Sequence, residues 1–198
     1  MSARFVPVLV SPDHYPSMPF VHGHLHVALA DAEDPACEPL DDTQAAALPR
    51  SFIDTCHRSI WGFRGRCSPL ELESEERRGL WTIRSADGVA ASRILCIQDL
   101  IRPWPLEGVL IACDDANTLL IAPLEGLSAI AAVRSLLHRP RVKQGLSDQL
   151  FWADDNGRWR HVSVVHTDHG AEIGDEPSFL AALERLTAVE LVAVAAEA

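Results

Sequence analysis

Several residue types and motifs are scarce or missing in this chain of 198 residues, and each gap argues against a class of protein. No G-x-x-x-x-G-K-[ST] or G-x-G-x-x-G phosphate loop is present, and Lys143 is the single lysine. Both features weaken an ATPase or nucleotide-binding interpretation. No serine lies in a G-x-S-x-G elbow, which is the usual setting of a hydrolase nucleophile. The sequence therefore predicts no catalytic residue of these types.

Long apolar runs and cysteine motifs are also missing. No run approaches the roughly 20 apolar residues that span a bilayer, and the N-terminus lacks the pattern of a secretory signal. The five cysteines form no C-x-x-C pair, so we expect neither a disulfide framework nor a cysteine zinc site. Cys56 and His57 are neighbours and would point about 100° apart on a helix. These features predict a cytoplasmic protein without a membrane contact.

Negative charge is abundant and uneven, with a formal net charge of −11. Residues 31–42 carry six acids and no base. An acidic chain repels phosphates, so we expect no nucleic-acid partner, whereas a basic protein would be attracted. The candidate partner-binding acids are Asp31, Glu33, Asp34, Asp41 and Asp42.

The middle of the chain, residues 87–122, is the part whose structure is easiest to predict. Apolar residues recur at helical spacing from Asp87 to Ile101, and Arg102-Pro103-Trp104-Pro105 would end that helix. Two apolar runs, 108–113 and 118–122, then flank a polar loop of four residues, which indicates a hairpin. Both runs are apolar on both faces, as in strands that are covered on each side.

The other predicted elements mix hairpins with helices, which favours an α+β fold with a mostly antiparallel sheet and helices packed on it. We expect one compact domain in which residues 1–78 form a possible N-terminal subdomain and residues 79–198 the core domain. The predicted elements are an edge strand at 5–10, a strand at 20–30, helices near 43–48 and 49–61, a strand at 80–84, a helix at 126–138, an Asn-Gly hairpin of 149–153 with 159–166, and a helix from Pro177 whose tail, 189–194, either extends it or forms a last strand.

The central unit resembles the YtpQ-like family of uncharacterised bacterial proteins. The residues that carry the resemblance are Gly88-Val89-Ala90-Ala91-Ser92-Arg93-Ile94-Leu95, Gly108-Val109-Leu110-Ile111-Ala112 and Leu119-Leu120-Ile121, about a fifth of the chain. In that family a helix with small residues precedes a hairpin. The hairpin loop here, Asp114-Asp115-Ala116-Asn117, lacks the proline and arginine expected for the family. The resemblance implies a fold and no activity.

The most distinctive candidate site is the sequence His22-Gly23-His24-Leu25-His26. On one strand, alternate side chains share a face about 7 Å apart, so His22, His24 and His26 would form a row. Such a row is able to hold zinc or another divalent transition metal, with Asp31 or Glu33 as the base of a metal-dependent hydrolase. The alternative, which we favour at this stage, is a solvent-facing row of histidines opposite an apolar face.

A second histidine group lies at His161, His166 and His169, with Asp168 beside it. Its position after the Asn-Gly hairpin favours polar turn residues over metal ligands. If the two histidine groups met in space, the metal hypothesis would gain support.

Five tryptophans are many for this length, and Trp104, between two prolines, is a candidate anchor at a binding surface. Core packing is the alternative for most of the five. Together with the charge and the missing catalytic motifs, this predicts a non-enzymatic protein-binding module that acts on a basic partner, such as an immunity or inhibitor protein or an adaptor. A metal-dependent hydrolase is the alternative, and a structural or oligomerising domain comes third.

Overall fold

The computed structural model describes residues 4–21, 23–34, 36–64, 79–84, 89–126, 128–140, 146–168 and 170–196, with the side chains of 189–196 left out. The strands are β1 (Phe5–Val10), β2 (Met18–Val21), β3 (Leu25–Asp31), β4 (Trp81–Arg84), β5 (Val109–Asp115), β6 (Thr118–Pro123), β7 (Leu150–Ala153), β8 (Trp159–Val162), β9 (Val164–Thr167) and β10 (Gly170–Ile173). The α-helices are α1 (Asp42–Ala46), α2 (Phe52–Arg64), α3 (Ile97–Leu100), α4 (Ser128–Leu137) and α5 (Pro177–Ala196).

A five-stranded antiparallel sheet in the order β4-β6-β5-β7-β8 forms the centre of the molecule. Ile111 of β5 pairs with Ile121 of β6 on one side and with Phe151 of β7 on the other. Alternate residues of β5 enter two different cores, Ile111 in one and Leu110 in the other, and both are fully buried. The prediction of a hairpin apolar on both faces is therefore confirmed.

The two faces of this sheet are covered by different elements. Helices α4 and α5 contribute Val133, Leu136 and Phe179 to the core that contains Leu110. The opposite face packs against the segment 89–101 and against a three-stranded antiparallel sheet in the order β1-β3-β2. On its far side, that small sheet packs against α2 around Leu29, Leu40 and Cys56. The α+β fold with antiparallel sheets and packed helices is confirmed.

The strand predicted from Phe20 to Ala30 is wrong as a single element. The chain turns after Val21, where the backbone N–H of His24 donates to the Val21 carbonyl and Gly23 has a φ of +74°. Two antiparallel strands, β2 and β3, result. The period-two alternation continues through this turn, so the sequence pattern conceals it.

The structure corrects two further predictions, one of a helix and one of a strand. The predicted helix from Asp87 to Ile101 is mostly a 3-10 helix over Ala91–Cys96 followed by the short α3, and Asp87 lies outside the described residues. Its apolar stripe is nevertheless buried, as predicted. The predicted strand 159–166 is divided at Ser163, because β9 pairs with β10 in a separate two-stranded sheet. The tail after Val189 extends helix α5.

The hydrophobic core includes residues from both sides of the predicted boundary at residue 78. Val8 and Val27 from the first part share one buried cluster with Ile94 and Ile111 from the second. An independent N-terminal subdomain stays a prediction.

Candidate functional site

The predicted acidic surface begins where β3 ends. Oδ1 of Asp31 accepts a hydrogen bond of 3.0 Å from the backbone N–H of Glu33, and the side chain of Arg4 lies 3.8 Å from Oδ2. Arg4 is 77% exposed, so this ion pair is screened by water and contributes at most about 1 kcal/mol. The carboxylate of Asp31 therefore stays available at the surface.

Local hydrogen bonds hold two more of the predicted acids in place. The carboxylate of Asp34 accepts from the backbone N–H groups of Ala36 and Glu38, both at 3.0 Å. Asp41 caps helix α1, because its side chain accepts from the N–H of Gln44 (2.8 Å) while the Gln44 side chain accepts from the N–H of Asp41. Turn-forming and capping carboxylates are held against the backbone, so this acidic segment presents a fixed pattern of charge.

Trp104, the predicted aromatic anchor, is half-buried. Its indole N–H donates to the carbonyl oxygen of Asp154 (3.0 Å), and its half-buried ring packs against the core. Its role as a binding anchor stays a prediction. The exposed tryptophan is instead Trp61 on α2, at 73% exposure, with the guanidinium of Arg64 5.6 Å from its ring centroid.

Of the three predicted metal ligands, His22 lies outside the described residues. His26 is half-buried on β3, and its Nδ1 lies 2.9 Å from the hydroxyl of Ser17. His24 sits in the turn before β3. Asp31, predicted as a base, is at the other end of β3, about 20 Å from Leu25 at roughly 3.3 Å per residue.

His24 meets the second histidine group. Its ring stacks on that of His161 in β8, with centroids 3.6 Å apart and planes 11° from parallel. Beside this pair the rings of Phe20 and Trp159 are 5.2 Å apart. Two ring contacts therefore join the β2–β3 hairpin to the edge strand β8 of the large sheet. His166 is exposed on β9, and His169 lies outside the described residues.

A hydrogen-bond chain fixes the protonation of His161. Oε1 of Gln149 accepts from the N–H of Val164 and lies 3.3 Å from Nε2 of His161, while the Gln149 amide donates to Asp148. A carbonyl oxygen only accepts, so Nε2 is the nitrogen that carries the proton. Burial, and then the neighbouring His24, lower the pKa of His161 below its ordinary value. The lowered pKa favours the neutral form of His161.

The stacked geometry does not by itself form a metal site. Two imidazoles that bind one metal ion direct their nitrogen lone pairs at the same point. In stacked rings the lone pairs lie in two nearly parallel planes, so they do not converge. Within the part of the chain that the structure describes, no group of three or more His, Cys, Asp or Glu side chains is arranged to hold a metal ion. The metal interpretation of His22, His24 and His26 stays a prediction.

Comparison with protein-family models finds no match for this chain, and comparisons with curated proteins and with solved structures find none either. The resemblance to the YtpQ-like family stays an expectation. Across the described residues, no helix has the length and apolar character needed to cross a membrane.

Sequence reasoning missed two features of this surface. Tryptophan counts as apolar in any periodicity pattern, so the pattern of α2 favours a buried Trp61, whereas the structure leaves it exposed. The sequence also gave no sign that His24 meets His161, since 137 positions separate them and no local pattern reports such a contact.

Proposed function

We propose that this protein binds a basic protein partner through an acidic edge formed by Asp31, Glu33, Asp34, Asp41 and Asp42. The observation that supports this best is the fixed placement of these carboxylates, three of which are held by backbone hydrogen bonds. A preformed charge pattern binds without first ordering the groups that make it. The free energy of binding is then not reduced by the entropy cost of ordering these side chains.

Charge complementarity favours a protein partner over other polyions. The net charge of −11 repels nucleic acid, and it raises the encounter rate with a basic surface at low ionic strength. An immunity or inhibitor protein that neutralises a basic toxin in the cytoplasm, or an adaptor, would use such a surface. Electrostatic contributions of this kind weaken as salt is added.

Helix α2 adds apolar anchors beside the acidic edge. It follows α1 directly and packs on β1 and β3, and it leaves Ile53 and Trp61 exposed. Exposed tryptophan is over-represented among residues that dominate binding energy. We therefore regard Trp61, rather than Trp104, as the stronger aromatic contact in this proposal.

The test replaces the five acids of the edge with Asn or Gln, which removes charge but keeps the oxygen acceptors of the turn and the helix cap. The control variant makes the same change at five other exposed acids, Glu125, Asp155, Asp168, Glu172 and Glu184. Affinity capture with quantitative mass spectrometry compares the two variants with the unchanged protein. We expect a basic protein that binds the control and the unchanged protein, is lost from the edge variant, and is released by raising salt. If no protein distinguishes the two variants, the proposal fails.

A metal-dependent hydrolase is the second candidate, and one observation favours it: His24 and His161 bring the two histidine groups together. Elemental analysis of untagged protein, purified without chelator, tests it with His24→Ala as the comparison. About one equivalent of zinc or another transition metal, lost in the variant, would favour the hydrolase over the binding module. Substoichiometric metal unchanged by the substitution would remove this candidate.

A further inference from the structure

A cavity of about 310 Å³ opens beside the acidic edge. Its walls come from the end of β1, the segment 36–39, the turn between β5 and β6 at Ala116, and Leu146. Two hydrogen bonds of 2.8 Å tie these walls together, from the Ser11 hydroxyl to the Leu146 carbonyl and from the Leu146 N–H to the Asp114 carbonyl. The volume is at the lower end of the roughly 300–1,000 Å³ of ligand pockets, so it suits one side chain or a small molecule.

The lining combines apolar walls with one formal negative charge. Val8, Val10 and Leu146 supply apolar surface. Among the lining residues that the structure describes, Glu38 carries the formal charge at pH 7. No lysine or arginine is among the lining residues that the structure describes. Asp34, whose carboxylate accepts from the N–H of Glu38, adds negative charge behind the same wall.

An aromatic ring stands at the same opening. Tyr15, the only tyrosine of the chain, lines the cavity and is 44% exposed, and Glu38 is exposed as well. A cation near a tyrosine ring is attracted by its π face, and a nearby carboxylate adds an ion pair. Apolar walls, an acid and an aromatic ring together match a side chain with an aliphatic stem and a positively charged end.

We propose that this cavity receives one lysine or arginine side chain of the basic protein that the acidic edge binds. The inference rests on the proposed function, because it identifies which part of that partner is recognised. The aliphatic stem packs against Val8, Val10 and Leu146, and the cationic end lies between Glu38 and Tyr15. The acidic edge supplies long-range attraction, and the cavity supplies the shape that selects a projecting basic residue.

The experiment titrates ¹⁵N-labelled protein with four small probes and follows amide chemical shifts around Val10, Glu38 and Ala116. The probes are the methylamides of Nα-acetyl-arginine and Nα-acetyl-lysine, the neutral norleucine analogue, and the anionic glutamate analogue. We expect the two basic probes to shift these amides, and the other two to bind at least about fivefold more weakly. Equal or tighter binding of norleucine or glutamate overturns the inference, and so does the absence of any saturable shift.

Variants identify the site of binding. Glu38→Gln should weaken the basic probes about twofold to fivefold, as expected for an exposed ion pair. Ala116→Phe should abolish binding by filling the cavity. Glu172→Gln and Ala46→Phe make the same changes at exposed positions outside it and should bind like the unchanged protein. If the blocking variant still binds the probes at these amides, the cavity is not their site.

The probes and the partner-capture experiment fail in distinguishable ways. The probes need no partner, so they test the cavity by itself. If the cavity binds the basic probes but no protein distinguishes the edge variants, the cation site is supported and the acidic-edge function is refuted. A partner lost from the edge variant but bound equally well by Ala116→Phe would keep the function and refute the cavity as its anchor point.

Discussion

The imidazole ring of His24 lies flat on that of His161, with ring centroids 3.6 Å apart. This contact joins the first hairpin of the chain to the outermost strand of the central sheet. Two imidazolium ions at this distance repel each other, so protonation of both rings disfavours the contact. We therefore expect acid to weaken this contact between the small sheet and the central sheet.

The first prediction concerns this pH dependence. Burial and His24 keep the pKa of folded His161 below its ordinary value of about 6.5, so in mild acid the unfolded chain binds more protons than the folded one. The free energy of unfolding should therefore fall as pH drops below about 6.5, and this group should have no effect above it. Urea unfolding between pH 7.5 and 5.5 measures this. His161→Phe keeps an aromatic ring and should lose this part of the slope, whereas His166→Phe, at an exposed position, should retain it. Equal slopes in both variants would contradict the prediction.

A second prediction concerns the buried ion pair between Arg139 and Asp114. Nε of Arg139 donates to Oδ1 of Asp114 at 2.7 Å, and both side chains are about nine-tenths buried. Arg139→Leu leaves a buried carboxylate without its cation and should reduce the free energy of unfolding by about 3–5 kcal/mol. Arg134→Leu, an exposed change in the helix α4 that ends just before Arg139, should stay within about 0.5 kcal/mol. Chemical denaturation compares them, and similar losses would refute the role of burial.

The third prediction uses two glycines with similar backbone angles and different surroundings. Gly108 has a φ of +80°, and a Cβ there would lie 1.9 Å from the Ala153 carbonyl oxygen. Gly126 has a φ of +68°, and its Cβ would meet nothing within 4 Å. We expect Gly108→Ala to lose about 3 kcal/mol or more, and Gly126→Ala only the 1–2 kcal/mol of a left-handed residue. Thermal unfolding of both variants measures the difference, and equal losses would show that strand β7 moves aside.

The fourth prediction separates the two tryptophans. Trp104→Phe removes the hydrogen bond to Asp154 and should reduce the free energy of unfolding by about 1–2 kcal/mol. Trp61→Phe changes an exposed ring and should stay within about 0.5 kcal/mol. Fluorescence-monitored urea unfolding gives both values. The reverse order of losses would mean that Trp61, not Trp104, is the structural ring.

The sequence predicted the elements whose signals are local. The apolar runs around Ile111 and Leu120, the Asn-Gly turn before Trp159, and Pro177 at the start of α5 each indicate their own structure, and each element is present. These signals operate within a few residues, which is the range over which propensity and periodicity act.

The errors arise where an alternating pattern conceals a turn or where residues far apart in the sequence meet. The turn at Gly23 looks like a continuation of a strand, because β2 and β3 keep the same alternation on either side of it. The separation of β8 from β9 depends on the pairing of β9 with β10, which the residues around Ser163 do not specify. At the site, the individual acids were predicted, but the cavity was not, because its walls come from four separate parts of the chain.

The shared core has a consequence for how the chain folds during synthesis. Val8 and Val27 leave the ribosome about a hundred residues before Ile111 and Phe151, with which they form one buried cluster. At about 5–20 residues per second, the first strands wait on the order of ten seconds for the surface they pack against. During that interval their apolar faces are exposed to solvent and to chaperones. The nascent chain should therefore become compact late, when the central sheet has been completed.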